Sequence, residues 1–420
     1  MIDSIRKYNL WDRNTSNLGF LRTEYTKRIS LMTGNNLVKV LIGQRRAGKS
    51  YVLRQIANQL VKQGVNPRNI IYINKEYLEY GDILTAEDLQ KLFDEYKKIL
   101  KPKGKIYLFL DEIQLVKNWE RFVNSHSQDF TEEQEIFISG SNSDLLSGEL
   151  ASLLSGRYVE FEILPYSFDE YTDMNQLAKD KSSYLQFLQQ GMLPELFHLT
   201  DDEMKRHYVS SVKDTIMLRD IVRRYNVKDT QLLEDIFRYL VNNAGRMISI
   251  SNITNYFKSL GRKTNYETVS SYTDYLCKAF LIHKAERYNV AGKELLNGNC
   301  KYYANDSAYY NYLYRGFAYG LGNLLENAVY IELRRKGWQL YVGVQGQNEI
   351  DFVTTMSDEK VYFQISWQIA SNEETAQREY APLLALNDHY RKYLVTLDDY
   401  RFPSNNGIEH IFPWEINNIL

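Results

Sequence analysis

Gly43-Gln44-Arg45-Arg46-Ala47-Gly48-Lys49-Ser50 is the stretch of this chain that decides its fold. It has the pattern G-x-x-x-x-G-K-S, follows an apolar run and precedes apolar residues at helical spacing. The glycines let the backbone curl so that successive amides point at phosphate oxygens, and a helix N-terminus adds partial positive charge. The stretch therefore predicts a phosphate-binding loop. The alternative is an ordinary glycine turn between a strand and a helix.

The side chains of this loop have predicted roles of their own. Lys49 is expected to reach the β- and γ-phosphates of ATP, and the Ser50 hydroxyl to hold Mg²⁺. One of the two arginines is expected to face the phosphates, and the other the sheet edge or an acidic partner. The nucleotide-binding set is completed by Gly43, Gln44, Arg45, Arg46, Ala47, Gly48 and Tyr51.

Short apolar runs alternate with helical patterns through the first part of the chain. Such alternation implies a parallel α/β sheet covered on both faces, with ligands at the carboxyl ends of its strands. The predicted strands are 37–42, 69–73, 106–110, 135–138 and 157–161, with helices that include 85–100 and 119–129.

The third of these runs ends in Asp111-Glu112. Asp111 is predicted to hold Mg²⁺, and Glu112 to accept a proton from the attacking water or to orient that water. The alternative is a carboxylate pair that caps a helix. The strand between the loop and this pair is typical of P-loop proteins that have an added strand and a catalytic glutamate (the ASCE branch).

Two more candidates adjoin the fourth and fifth strands. Asn142, with Ser141 as second choice, is predicted to contact the γ-phosphate and the attacking water; the alternative is a polar turn before a helix near Asp144. Arg157 is predicted to neutralise charge on the transferred phosphoryl group, in its own chain or in a neighbouring subunit. A structural salt bridge is the alternative for Arg157.

Composition sets limits on the class of protein. A chain of 420 residues with 44% hydrophobic and 25% charged residues predicts about two or three domains, each with a core. A net charge of −2 argues against reliance on bulk nucleic-acid affinity but allows a local basic patch. Cys277 and Cys300 have no metal-ligand spacing and predict reduced core thiols. We expect no secretory signal, no membrane span and a cytoplasmic protein.

These motifs together resemble one family, the AAA-type ATPases of bacteria and archaea that carry a domain of unknown function with a restriction-nuclease-like end. The resemblance covers nearly the whole chain. It is carried by the segments 43–50, 110–114, 139–142, 155–157, 165–170, 191–195, 219–221 and 301–306. It implies an ATPase core at 1–165, a helical lid at 166–230, a winged helix at 231–315 and a nuclease-like α/β domain at 316–420.

The middle segments offer basic residues. A helix near 203–225 carries several lysines and arginines, and a solvated face is preferred to a nucleic-acid surface because aspartates interleave with them. The start of the third helix of the winged helix offers Arg262, Lys263, Thr264, Asn265 and Tyr266, which suit DNA contacts. A protein-contact or packing module is the alternative.

The order of elements after about 318 resembles the restriction-endonuclease-like fold. Glu326 and Asp351 match the metal-binding acids of that fold, but Gln364-Ile365-Ser366 stands where Glu-x-Lys is needed. Glu349 is expected to point to the opposite face of its strand and to be a poor substitute ligand. We therefore predict a degenerate nuclease fold that binds DNA or a partner.

Three functions follow in order of preference. The first is an Mg²⁺-dependent ATPase that couples nucleotide state to a DNA- or protein-binding C-terminal region, with its oligomeric state open. The second is a slow, nucleotide-gated signalling or scaffold switch. The third is an ATP-dependent nuclease.

Overall fold

The computed structural model describes residues 2–12, 17–146, 154, 156–314, 320–356 and 359–419. The chain forms two compact units, Met1–Ile163 and Leu164–Leu420. Within the described residues, no helix combines the length and the apolar character that crossing a bilayer requires.

The first unit contains one parallel sheet. Its strands are β1 (Val38–Ile42), β2 (Ile70–Asn74), β3 (Ile106–Asp111), β4 (Gln134–Gly140) and β5 (Tyr158–Glu162). Their spatial order is β2-β3-β4-β1-β5, and every neighbouring pair is parallel. The predicted P-loop sheet is confirmed, including the strand β2 inserted between the loop and Asp111.

Of the described α-helices of this unit, two precede the first strand and three lie between successive strands from β1 to β4. They are α1 (Ile2–Ile5), α2 (Thr23–Leu31), α3 (Lys49–Lys62), α4 (Ala86–Leu100) and α5 (Trp119–Ser127). The apolar residues of α3 recur every three or four positions, so Val52, Ile56 and Leu60 share one buried stripe. That stripe packs in one core with Phe109 and Phe137, whose rings stack with centroids 4.5 Å apart.

The second unit begins with helices. They are α6 (Phe168–Asn175), α7 (Lys181–Gln190), α8 (Asp202–Ile216), α9 (Thr230–Asn242), α10 (Ile250–Ser259) and α11 (Tyr266–Lys278). The long helix predicted at 203–225 is present, but its continuation Met217–Val222 is π-helical before a last turn at Arg223–Tyr225.

Strands and two further helices follow. They are β6 (Ile282–Asn289), β7 (Glu294–Ala304), α12 (Leu321–Arg335), β8 (Gln339–Gln345), β9 (Asn348–Met356), β10 (Glu359–Ser366), α13 (Glu373–Leu384), β11 (Arg391–Thr396) and β12 (Ile408–Ile411). The strand β12 is absent from the sequence-based expectation. It pairs with β11 and extends the sheet at that end.

All these strands belong to one mixed, seven-stranded sheet in the order β12-β11-β10-β9-β8-β6-β7. The two strands expected for a winged helix, β6 and β7, form an antiparallel pair, and β6 also pairs in parallel with β8. The expected boundary at 315/316 therefore does not separate two sheets. A strand can pair with a neighbour on each side, and its sequence does not specify which strand pairs on the second side.

A buried ion pair lies inside the first unit. Lys39 of β1 and Glu135 of β4 are both fully buried, and the Lys39 ammonium contacts the Glu135 carboxylate directly. Asn35 Oδ1 accepts a second bond from Lys39 at 2.9 Å, and Lys105 Nζ lies 2.6 Å from Glu135 Oε2. Burial lowers the pKa of Lys39, against the opposing effect of Glu135.

We expect Glu135→Gln to lower the free energy of unfolding by about 3–5 kcal/mol, because it leaves the Lys39 ammonium buried without its counter-charge. Urea denaturation followed by circular dichroism measures the change. Glu133→Gln, at an exposed position of the same segment, is the matched control and should alter stability by less than about 0.5 kcal/mol. Equal stability of the two variants would contradict this account of the pair.

Candidate functional site

The carboxyl ends of β1, β3 and β4 meet at one edge of the first sheet. Ile42 pairs with Gly140, and Leu110 pairs with Ile138, so the three strands end at nearly the same level. The residues that follow them carry the predicted chemistry. The geometry thus brings together the loop at 43–50, the Asp111-Glu112 pair and the segment around Asn142.

The loop owes its path to backbone conformations that favour glycine. Gly43 has φ +141°, and a Cβ there would lie 2.3 Å from the carbonyl oxygen of Ile163. Gly48 has φ +101° and caps the N-terminus of α3. Arg46 also has a positive φ, +67°, and its side chain is exposed.

Lys49 lies at the start of α3 with its side chain 4% exposed. Its Nζ donates hydrogen bonds to the carbonyl oxygens of Gly43 at 2.9 Å and Gln44 at 3.0 Å. Glu112 Oε1 lies 3.9 Å from the same nitrogen. The ammonium is therefore held against the backbone of the first two residues of the loop.

Arg22 contacts the backbone of the loop and is not among the site residues predicted from the sequence. It is 1% exposed, and its Nη1 donates to the Ala47 carbonyl at 2.9 Å. Its backbone amide donates to Gln55 Oε1 of α3 at 3.0 Å. An arginine 21 positions before the first loop glycine gives no local pattern by which sequence analysis would find it.

Asp111 is buried and held by three side chains. Its Oδ2 accepts from the Tyr72 hydroxyl at 2.6 Å and from Asn74 Nδ2 at 2.8 Å, and Ser139 Oγ donates to Oδ1. Burial and the charge of Glu112 raise the pKa of Asp111, whereas hydrogen bonds from Ser139, Tyr72 and Ser50 oppose the rise. The two predicted metal ligands, Ser50 and Asp111, are thus within hydrogen-bonding reach of each other.

Glu112 adopts a left-handed backbone conformation, with φ +54° and ψ +44°. Its amide donates to Ser139 Oγ at 3.1 Å, which fixes the turn after β3. Its carboxylate accepts a bond of 2.6 Å from Gln114 Nε2 and lies 4.0 Å from Arg45 Nη2. This strained turn aims the carboxylate back toward the loop.

Gln114 is a site residue whose role the sequence did not reveal, although it lies in a motif of the family resemblance. Its Nε2 also lies 3.4 Å from Ser141 Oγ, and its buried Oε1 has no hydrogen-bond partner. Rotating the amide by 180° would set that oxygen against the Glu112 carboxylate. The orientation is therefore fixed by charge, and Gln114 links Glu112 to the end of β4.

The remaining predicted residues near this edge have defined positions. Arg45 donates to Glu76 Oε1 at 2.7 Å, so it is the loop arginine that faces the acidic groups. Asn142 is 1% exposed, and its Oδ1 accepts from the Asp144 amide at 2.8 Å, which caps a short 3₁₀ turn. Tyr51 is 40% exposed and stacks with Arg54.

Arg157 lies at the opposite edge of the sheet, where the strands begin. It directly precedes Tyr158, which pairs with Val38 at the start of β1, whereas the loop follows Ile42 at the end. Four residue steps along a strand span about 13 Å. A contact of Arg157 with phosphates in its own chain does not fit this placement. Ser155, two positions earlier, lies outside the described residues.

The chain is similar to known proteins over most of its length. Residues 35–172 match a family model described as an AAA domain, and residues 181–320 match a domain of unknown function. An uncharacterised protein of Haemophilus influenzae is 37% identical over 396 residues, covering 93% of this chain and 96% of that protein. An uncharacterised protein of Methanocaldococcus jannaschii is 31% identical over 360 residues, covering 82% and 77%.

Solved structures resemble the chain more distantly. A Walker-type ATPase of Pyrococcus abyssi has a TM-score of 0.44 and 16% identity, covering 69% of this chain and 94% of that one. DnaA from Aquifex aeolicus, bound to AMPPCP, has a TM-score of 0.31 and 18% identity, covering 65% and 98%. At TM-scores below 0.5, neither likeness identifies a function.

We expect Gly43→Ala to abolish binding of a fluorescent ATP analogue, because its methyl group would collide with the Ile163 carbonyl and deform the loop. Gly64→Ala is the control: Gly64 also has a positive φ, but a Cβ there meets no atom within 4 Å. Circular dichroism verifies folding of both variants. Unchanged binding by a folded Gly43→Ala protein would refute the requirement for this loop conformation.

Proposed function

Because this chain belongs to the family of AAA-type P-loop ATPases with a C-terminal domain of unknown function, we propose that it hydrolyses ATP with Mg²⁺. In this proposal, nucleotide state controls a DNA- or protein-binding region in the second unit. The observation that carries it is the convergence of Lys49, Ser50, Asp111 and Glu112 at one sheet edge.

The residues at this edge fit the metal that the family implies. Ser50 offers a hydroxyl and Asp111 a buried carboxylate that three neighbours orient. Mg²⁺ in such sites takes one or two protein oxygens and fills its other positions with phosphate and water. When bound, it neutralises charge on the phosphates. Ser50 and Asp111 would hold it.

The other side chains act on the substrate and the attacking water. Lys49 stabilises charge on the β- and γ-phosphates, and Glu112 takes a proton from the water or orients it. Asn142 and Ser141 follow the neighbouring strand and are proposed to sense the γ-phosphate. Arg157, at the far edge, is proposed to act only on the site of a neighbouring subunit.

A slow, nucleotide-gated switch is the second candidate. One observation favours it: the Glu112 carboxylate accepts a 2.6 Å hydrogen bond from Gln114. A carboxylate oxygen engaged in this way has fewer positions left at which to accept a hydrogen bond from the attacking water. ATP binding with negligible turnover would then be the functional state.

A basic cleft on α9 and α10 supports a nucleic-acid partner. It has a volume of about 610 Å³, and its lining includes Arg238, Arg246 and Arg262, with Asp235 paired to Arg238 and Arg262. The rings of Tyr239 and Tyr256 lie 4.8 Å apart at this cleft, and Tyr256 is 44% exposed. Arginines beside exposed aromatic rings suit phosphates and stacked bases.

The segment before α11, where DNA contacts were expected, is partly engaged elsewhere. Arg262 forms an ion pair with Asp235, and Asn265 Oδ1 caps α11 by accepting from the Thr268 amide at 2.8 Å. Lys263 and Tyr266 are exposed. We therefore propose the cleft around Arg238 and Arg246, rather than the start of α11 alone, as the surface for nucleic acid.

Steady-state ATP hydrolysis with and without duplex DNA tests the main proposal. We expect Mg²⁺-dependent turnover that falls about 100-fold or more in Glu112→Gln, because the amide cannot accept the proton. ATP binding should persist in that variant, which separates lost chemistry from lost binding.

The outcomes of this assay distinguish the candidates. Turnover that rises with DNA supports a DNA-responsive ATPase, and turnover indifferent to DNA redirects the proposal to a protein partner. If wild type and Glu112→Gln are equally inactive while both bind ATP, hydrolysis is excluded and the switch remains.

The cleft has its own test. Arg238→Ala combined with Arg246→Ala should reduce the slope of log affinity for duplex or single-stranded DNA against log salt by about 1–2, because fewer counterions are released. Fluorescence anisotropy across a salt series measures this slope. Lys62→Ala removes an exposed charge from the first unit and should leave the slope unchanged. An unaltered slope in the arginine variant would place DNA elsewhere.

A further inference from the structure

A buried lysine lies among three carboxylates in the second unit. Lys301 of β7 is 3% exposed. Its Nζ lies 2.9 Å from Glu326 Oε1, 2.8 Å from Glu349 Oε1 and 3.3 Å from Asp351 Oδ1. The carboxylates come from α12 and β9, so the ammonium joins three elements that are distant in sequence.

Two of the carboxylates are also fixed by other groups. The Tyr303 hydroxyl donates to Glu326 Oε1 at 2.7 Å, and the Ile365 amide donates to Asp351 Oδ2 at 2.8 Å. These bonds set the acids in place around Lys301. Glu326 and Asp351 are therefore fixed within the fold, whereas the Glu349 side chain, 41% exposed, reaches the ammonium from the surface.

The expectation for Glu349 was wrong. Residues two positions apart on a strand share a face, because side chains alternate with a period of two. Glu349 and Asp351 accordingly contact the same ammonium.

The third strand contributes no cation to this cluster. Gln364 of β10 accepts from the Asp351 amide at 3.4 Å and donates to Glu379 Oε2 at 3.0 Å. Its side chain thus bridges β9 to α13. The sequence resemblance to a restriction-endonuclease-like fold requires lysine at position 366. This chain has Ser366 there, whose side chain carries no positive charge.

That resemblance implies a divalent metal between Glu326 and Asp351, and the side chains present do not fit one. The Lys301 ammonium lies between those carboxylates, 2.9 Å from Glu326 Oε1, a distance typical of a charge-assisted hydrogen bond, and 3.3 Å from Asp351 Oδ1. Across the part of the chain that the structure describes, no group of three or more acidic, histidine or cysteine side chains is arranged to hold a metal ion.

We propose that Lys301 replaces the divalent metal of a nuclease-like site, its ammonium serving as a built-in cation that holds Glu326, Glu349 and Asp351 together. An ammonium offers three donors and one charge but no open coordination position at which water could be activated. The cluster is then a structural joint between β7, α12 and β9, and it does not cleave phosphodiesters. This inference is independent of ATP hydrolysis in the first unit.

Removing the ammonium tests the idea directly. Without it, three carboxylates face one another, and their mutual repulsion favours a hard cation with oxygen ligands. We expect Lys301→Met, in the full-length chain without nucleotide, to bind one more Mn²⁺ per chain than wild type. Mn²⁺ should also raise the melting temperature of this variant more than that of wild type.

Electron paramagnetic resonance of free Mn²⁺ gives the stoichiometry. Lys301→Met combined with Asp351→Asn is the matched control and should lose the added site. Because Mn²⁺ bound in the first unit is common to all variants, the differences report this cluster alone. A folded Lys301→Met protein that gains no Mn²⁺ overturns the proposal.

Wild type provides a test that does not depend on the folding of Lys301→Met. Equal Mn²⁺ stoichiometry in wild type and Asp351→Asn supports the built-in cation. A Mn²⁺ bound by wild type and lost in Asp351→Asn overturns it, because metal then displaces the ammonium. Plasmid nicking with Mn²⁺ that disappears in Asp351→Ala overturns it as well.

Discussion

The parallel pairing of β1, β3 and β4 is the constraint on which the nucleotide site depends. Because the three strands run in one direction and end at one level, the groups that follow them must share an edge. Asp111 is the centre of that edge, held from β2 by Tyr72 and Asn74 and from β4 by Ser139. A carboxylate fixed from both neighbouring strands has little freedom to leave its position. The sheet thereby supports the strained backbone conformation of Glu112.

Two buried lysines show how surroundings decide what an ammonium does. Lys49 donates to two backbone carbonyls of its own loop, which are neutral partners, and its nitrogen lies 3.9 Å from the Glu112 carboxylate. Lys301 lies among three carboxylates from two other elements, which are charged partners that a neutral ligand cannot match. The partners of Lys49 suit a side chain that binds a ligand, and the partners of Lys301 suit a structural role. Residue type and burial are nearly equal in the two cases, and only the partners differ.

The predictions from sequence succeeded where the pattern is local. A strand, a glycine loop and a helix are contiguous, so the loop and Lys49 could be placed from a stretch of eight residues. The Asp111-Glu112 pair could be placed for the same reason, because it directly ends an apolar run that predicts a strand. Arg157 was harder: its neighbours suggested a catalytic role, but the register of β5 against β1 sets it at the opposite edge of the sheet. Register depends on pairing across the fold, which no local pattern encodes.

The sequence by itself thus determined the P-loop sheet, the order of its strands along the chain and the residues at its carboxyl edge, because each is encoded in a short contiguous segment. Only the tertiary structure decided which partners those residues have. Gln114 against Glu112, Arg22 behind the loop and Lys301 among acids from α12 and β9 are all contacts between side chains brought together by folding. The pairing of β6 with β8 is of the same kind. The hydrophobic periodicity of a segment predicts which of its faces is buried, but not which other segment packs against that face.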